Sequence, residues 1–176
     1  MNNLIKTSLL SGLLALTAPA FSNNVNFELG LGAPYGGIGG NANFDVGNNI
    51  ELFAGLGFIS GSDIYDDEFH VASDLGYSAG ARYYVTPNVR LMAGYGAVGG
   101  ILNKQGESSH DLDMEAVKGG FFGAGYISNK NKGFTADLVF IDNSEFSDEV
   151  SDIQNNGRYI EDKDDNEVKI AIGYRF

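Results

Sequence analysis

The chain contains no cysteine, so neither a disulfide framework nor a thiolate metal site is open to it. Tryptophan is also absent, and there are only 3 prolines and 2 histidines, His70 and His110. Basic residues are few: 11 Lys and Arg stand against 23 Asp and Glu, a formal net charge of −12 that argues against nucleic acid as a partner. Long apolar runs are missing as well. No stretch after residue 22 approaches the ~18 residues of a membrane helix. Helical periodicity is hardly seen anywhere.

What the chain does have is glycine, 25 residues of it, and 12% aromatics, a composition suited to many short strands joined by tight turns. Its start differs from the rest. Residues 1–6 carry one positive charge and no acid, 4–16 are an apolar core, and Ala18-Pro19-Ala20-Phe21-Ser22 has small residues at cleavage spacing. Residues 1–22 therefore read as a secretory signal peptide cut after Ala20 or Ser22, leaving residues 23–176 as one domain.

Alternation of apolar and polar residues predicts eight strands, near 25–32, 37–46, 50–59, 76–85, 89–102, 119–127, 133–141 and 168–176. Several are about ten residues long, the length of a tilted membrane-spanning strand. The connections alternate in kind. Gly47-Asn48-Asn49, Thr86-Pro87-Asn88 and residues 128–132 are short and made of turn formers. Residues 60–75, 103–118 and 142–167 are long and polar, and 32–36 is the one brief connection on their side. With eight strands, both termini and all the short turns fall at one end. An even number of strands closed on itself also leaves no sheet edge, which lipid requires.

Charge position separates a membrane barrel from a soluble barrel of lipocalin type. All but four of the 23 acids fall in the three long connections. The strands hold Glu28, Asp45, Glu51 and Asp137 against Arg82, Arg90, Lys169 and Arg175, and each of the eight lies opposite its strand's apolar row. If the apolar row faced water-excluded lipid, these charges would be enclosed in a narrow lumen and would have to pair, because an unpaired buried charge is costly. Four against four is the balance such a lumen needs. The remaining inward positions are mostly small or polar, including Gly30, Gly39, Asn41, Asn43, Gly55, Gly57, Ser78 and Gly173, as expected where long Arg and Lys side chains cross a barrel of eight strands. Aromatics gather toward both ends of the apolar rows, as at membrane interfaces.

In this organisation the chain resembles the small outer-membrane β-barrels typified by the OmpA transmembrane domain and OmpX. The shared features are the signal peptide, eight alternating strands, short turns, acidic long loops and a terminal Gly173-Tyr174-Arg175-Phe176. The resemblance implies an all-β, eight-stranded antiparallel up-and-down transmembrane β-barrel in the outer membrane of a Gram-negative bacterium. It implies a monomer in contact with outer-membrane lipid and lipopolysaccharide, with Val168, Ile170, Ile172, Tyr174 and Phe176 read by the barrel-assembly machinery. It also implies a structural and surface role, with loops 60–75, 103–118 and 142–167 available for adhesion to a host or surface ligand. The peptidoglycan-binding domain that follows the barrel in OmpA has no counterpart here, so no such anchoring is expected.

Two other readings come from the residues. A narrow channel or small-solute binder would use the polar interior as its path. An enzyme editing lipid A, like the eight-stranded acyltransferase barrel that this chain resembles in strand number, would need a serine and a base within hydrogen-bond reach. His70 with Ser73 and Asp74, and His110 with Ser108, Ser109 and Asp111, are the only such sets. Residues 162–167, Asp162-Lys163-Asp164-Asp165-Asn166-Glu167, place carboxylates at alternate positions as hard cations prefer, but Lys163 interrupts them and the sharp-turn glycine is missing. The expectation is accordingly no catalytic residues, no cofactor and no metal.

Overall fold

A computed structural model describes residues 25–65, 68–105, 112–142 and 144–176. The expected signal peptide lies outside these residues, as do Ser108, Ser109, His110 and Asp111. Among the described residues nine strands are formed: β1 (Val25–Gly32), β2 (Gly37–Gly47), β3 (Ile50–Tyr65), β4 (Glu68–Tyr84), β5 (Val89–Gln105), β6 (Leu112–Ile127), β7 (Gly133–Ile141), β8 (Arg158–Lys163) and β9 (Val168–Arg175). A helix, α1 (Ser144–Asn155), stands between β7 and β8.

Eight of the strands make the wall. Each pairs antiparallel with its neighbours, from β1 through β7 to β9, and β9 returns to pair with β1. The result is a closed, eight-stranded antiparallel up-and-down barrel, as the alternation and the connection lengths predict. At the seam Leu29 faces Tyr174 and Leu31 faces Ile172, and the amide of Phe176 donates to the carbonyl of Phe27 at 3.0 Å. The period of two is visible residue by residue: in β7 every odd position is buried and every even one exposed. At the β2–β3 turn Asn48 and Asn49 both take positive φ, 54° and 63°, the conformation a two-residue hairpin requires.

The outward face is apolar and open. Leu29, Leu91, Phe134, Leu138, Ile170 and Ile172 are among its exposed side chains, Ile170 reaching 72%. This changes above Tyr95. On β5 and β6, Leu102 and Met114 share the outward face yet are only 2% and 7% exposed. They are covered by the inward face of β3, where an added Cβ on Gly61 would stand 3.2 Å from Met114 Sδ and 3.4 Å from Leu102 Cδ1. The upper β5–β6 ladder thus leans beneath the upper β3–β4 hairpin. The Asp74 carboxylate on β4 accepts the Ala116 amide across the gap at 3.0 Å.

Three of the expected long loops are therefore more ordered than their polarity suggests. Strands expected to end near 59 and 102 run on to Tyr65 and Gln105, and those expected to begin near 76 and 119 begin at Glu68 and Leu112. A backbone ladder does not need apolar side chains, so Ser60, Gly61, Ser62 and Asp74 read as loop while their main chain stays paired. Residues 142–167, expected as an acidic loop, contain α1 and β8. Phe146, Val150 and Ile153, spaced i, i+4, i+7, form one apolar stripe that packs on the buried cluster at the barrel mouth. Asp142 accepts the Ser144 amide at the start of α1, and Gly157, at φ 72°, terminates it in the left-handed conformation that glycine adopts at little cost. Among the described residues no helix is long and apolar enough to cross a membrane, which says nothing of crossing by strands.

The brief 32–36 connection departs most from expectation. Ala33–Tyr35 form a single 3₁₀ turn folded into the lumen, with all three residues buried and Tyr35 fully so. The inward glycines make room for this turn rather than for long cationic side chains. A Cβ on Gly173 would sit 2.2 Å from Tyr35 Oη, and one on Gly57 2.6 Å from the Tyr35 carbonyl oxygen.

Candidate functional site

The barrel interior is layered along its axis. Nearest the short turns is a cluster of six charges, each from a different strand: Glu28 on β1, Glu51 on β3, Arg82 on β4, Arg90 on β5, Asp137 on β7 and Arg175 on β9. All are at most 2% exposed. The inward parity of each strand puts them there, and the cross-strand register fixes who meets whom.

Glu28 is the hub. One of its oxygens accepts Arg175 Nη2 at 2.6 Å, Arg175 Nε at 2.8 Å and Arg90 Nη1 at 3.1 Å. The other lies 3.3 Å from Arg82 Nη2 and accepts the Tyr35 hydroxyl at 3.1 Å. Arg90 grips Asp137 with two parallel bonds of 2.8 and 2.7 Å, the fork geometry that suits guanidinium and carboxylate. Asp137 fits because its cross-strand partner is Gly125, where a Cβ would come within 1.7 Å of its oxygen. Arg175 also holds Glu51 at 2.8 Å through each of two nitrogens, and Tyr84 donates to Glu51 at 3.2 Å. Arg82 donates to Glu51 at 3.2 Å and to Asn43, and stacks 4.6 Å above the Phe53 ring.

Three carboxylates face three guanidinium groups, so the enclosed charge sums to zero. Desolvating such groups is expensive, and only this dense mutual bonding offsets it. Asp45 and Lys169, expected in the same network, are not part of it. Both sit at ends of the lumen where solvent reaches. Asp45 pairs at 2.9 Å with Lys130 of the β6–β7 turn, and Lys130 in turn covers the Tyr84 ring. Lys169 pairs with Asp164 at 2.5 Å at the opposite end. The short-turn end is further closed by the Lys130 carbonyl, which accepts Arg175 Nη1 at 2.9 Å.

Above the charges lies the inserted turn. Tyr35 shares a hydrogen bond with Thr135 at 2.9 Å, while the Pro34 carbonyl accepts Ser78 at 2.8 Å and Asn41 at 3.2 Å. Around and above it the lining becomes apolar, with Phe53, Met92, Phe121, Val139 and Ala171, then Val98, Val117 and Ile141 under the stripe of α1. The polar interior expected from the sequence is thus confined to the lower part. Tyr35 and Thr135 are the members that sequence reasoning missed. A tyrosine bracketed by Gly32 and Gly36-Gly37 was the available sign of a turn that needs close approach.

The candidate catalytic and cation sets are arranged as follows. His70, Ser73 and Asp74 lie on one continuous strand, so Ser73 faces opposite to His70 and Asp74, which are themselves separated by three extended residues. The second set lies outside the described residues. In the 162–167 segment, Asp165 pairs with Lys163, Asp164 pairs with Lys169, and Asp162 accepts the Lys163 amide.

An eight-stranded closed barrel with a neutral ionic core, an inserted turn and a helical cap defines the architectural class of this chain. In comparisons with known proteins it matches no protein-family model, no curated protein and no solved structure.

Proposed function

We propose that this chain is a monomeric outer-membrane β-barrel without catalytic activity, which reinforces the membrane and presents an acidic cap for adhesion or other surface contact. The observation that carries the reading is the exposure pattern of the outward face. Through the wall, Leu, Ile, Val, Phe and Tyr stand open; beyond Tyr95, Leu102 and Met114 on the same face are covered by protein. In water that is the wrong way round for a lone soluble barrel, since monomers rarely leave so continuous an apolar surface uncovered. A lipid belt around the wall and water around the cap account for both halves.

The charge distribution supports the same orientation. The acids of α1 and of residues 161–167 belong to the end away from the short turns, where a cell surface would present them. The channel reading meets a lumen occupied in series by the ionic cluster, the Tyr35 turn and the apolar layer beneath α1. Adhesion remains the part of the proposal drawn from family resemblance, because a fold does not determine its function.

Membrane fractionation followed by gel electrophoresis with and without heating tests the reading. A heat-modifiable band in the outer-membrane fraction is expected. Recovery of the protein wholly in the soluble periplasmic fraction would sink it.

A further inference from the structure

From the short turns up to Lys118 of β6, the outward rows of the eight wall strands hold no other Lys, Arg, Asp or Glu among the described residues. Below Lys118 its own row is apolar and open, with Phe122 62% exposed and stacked on Phe140 of β7 at 5.3 Å. Above it Met114, in the same row, is covered by β3. Lys118 therefore stands at the line where the uncovered wall gives way to protein.

Its surroundings send the ammonium outward. The cross-strand partner of Lys118 is Ala97, small enough for the long side chain to pass over β5 toward β4. There Nζ lies 5.4 Å from the centroid of the Tyr77 ring, a contact attractive to a cation. Both side chains are exposed. The other cations at this end, Lys104, Arg158, Lys163 and Lys169, are each paired with a carboxylate. Lys118 forms no ion pair among the described residues. The Tyr77 hydroxyl likewise has no hydrogen-bond partner among them, whereas that of Tyr95 is held by Glu145 at 3.0 and 3.1 Å.

We propose that Lys118 and Tyr77 form a binding point for the phosphate of a membrane lipid, an inference that rests on the reading of the wall as lipid-facing. The uncommitted ammonium and hydroxyl supply the donors that phosphate oxygens accept, at the boundary where tyrosine and basic residues meet lipid headgroups. The acids decide that the phosphate comes on a lipid. Those of α1, of which Glu149 already feels the Lys118 charge, and those of residues 161–167 repel an anion arriving through water. A phosphate carried on acyl chains arrives from the other side, with its chains along Phe122 and Phe140.

The absence of tryptophan makes the test direct. Phe122→Trp places one fluorophore four residues, about 13 Å, below Lys118 on the same strand. The barrel is folded in phosphatidylcholine vesicles containing a minor fraction of brominated lipid, either phosphatidylcholine or phosphatidic acid. Brominated phosphatidylcholine should quench the fluorophore; no quenching by either lipid would overturn the lipid-facing wall and this site with it. Brominated phosphatidic acid at the same fraction should quench more, equivalent to about fivefold local enrichment from one basic residue. Lys118→Gln should abolish that excess, Lys118→Arg should keep it, and Tyr77→Phe should lower it. Leu29→Trp, on the far side of the barrel, should show none. Quenching by phosphatidylcholine without an excess for phosphatidic acid, an excess that survives Lys118→Gln, or an equal excess at Leu29→Trp overturns the site and leaves the membrane reading standing. Heat-modifiable migration of each variant verifies that the barrel itself has formed.

Discussion

Glu28 and Arg175 are direct cross-strand partners on the first and last strands of the wall, and their side chains meet in the lumen at 2.6 Å. The seam of the barrel is therefore also an ionic contact. A slip of one residue in β9 would turn Arg175 to the outer face and leave Glu28 and Glu51 each short of a partner. Register at closure is thus set by charge as well as by the apolar alternation.

Arg175→Gln should destabilise the barrel by about 3–5 kcal/mol, the typical consequence of leaving buried carboxylates uncompensated. Urea unfolding of the refolded protein measures this. Glu51→Gln combined with Arg175→Gln should lose less than the two single changes added together, because the pair is removed jointly. Additive losses would show that the two side chains are not coupled.

Gly173→Ala brings a methyl group onto Tyr35 Oη and should cost about 1–3 kcal/mol through overpacking. Tyr35→Ala should relieve that clash, so the double variant should be less destabilised than the sum. Stability of all three by urea titration decides it, and strict additivity would place Tyr35 outside the lumen.

Leu138→Arg, in the middle of the outward row of β7, should lower the stability of the barrel folded in lipid vesicles by about 2–4 kcal/mol. Val71→Arg, exposed on the part of β4 beyond the wall, should change it by about 1 kcal/mol or less. Equal effects at the two positions would contradict a lipid belt around the wall.

Phe176 stacks edge-on to Tyr174, which does the same to Phe134, with ring centroids 5.2 and 4.9 Å apart. Deleting Phe176 should impair assembly in cells much more than it lowers the stability of barrel refolded in detergent. Equal losses in the two assays would reduce the residue to packing.

Planar-bilayer recording should give no steady conductance from the intact barrel, because three layers fill the lumen. Sustained current that changes with Glu51→Gln or Arg90→Gln would establish an open path through the ionic cluster.

Much of the wall was legible because period-two alternation is a local property. Val168 to Phe176 announce both their strand and their outward face without reference to the rest of the chain. The six lumen charges were legible through parity, which puts Glu28 and Arg175 on inward faces before any partner is known. Distance along the barrel axis is not local, and so Asp45 and Lys169, correct in parity, lie at the rims with Lys130 and Asp164. The inserted turn was hidden for another reason: residues 32–36 hold Gly and Pro, which signal a turn but not whether it folds outward or inward. The helix was obscured by composition. The Phe146, Val150 and Ile153 stripe lies within a run of acids whose polarity reads as loop.

β5 pairs with β4 only up to Gly96, and beyond that takes β8 as its partner at Ile101–Gln105. On that side the hydrogen-bond ladder of the wall is interrupted before the cap begins. Heating or denaturant is then expected to dissolve α1 and β8 as one unit while the wall remains closed, giving two melting transitions along a continuous chain. Substitutions in the cap are then expected to leave the barrel that carries it intact.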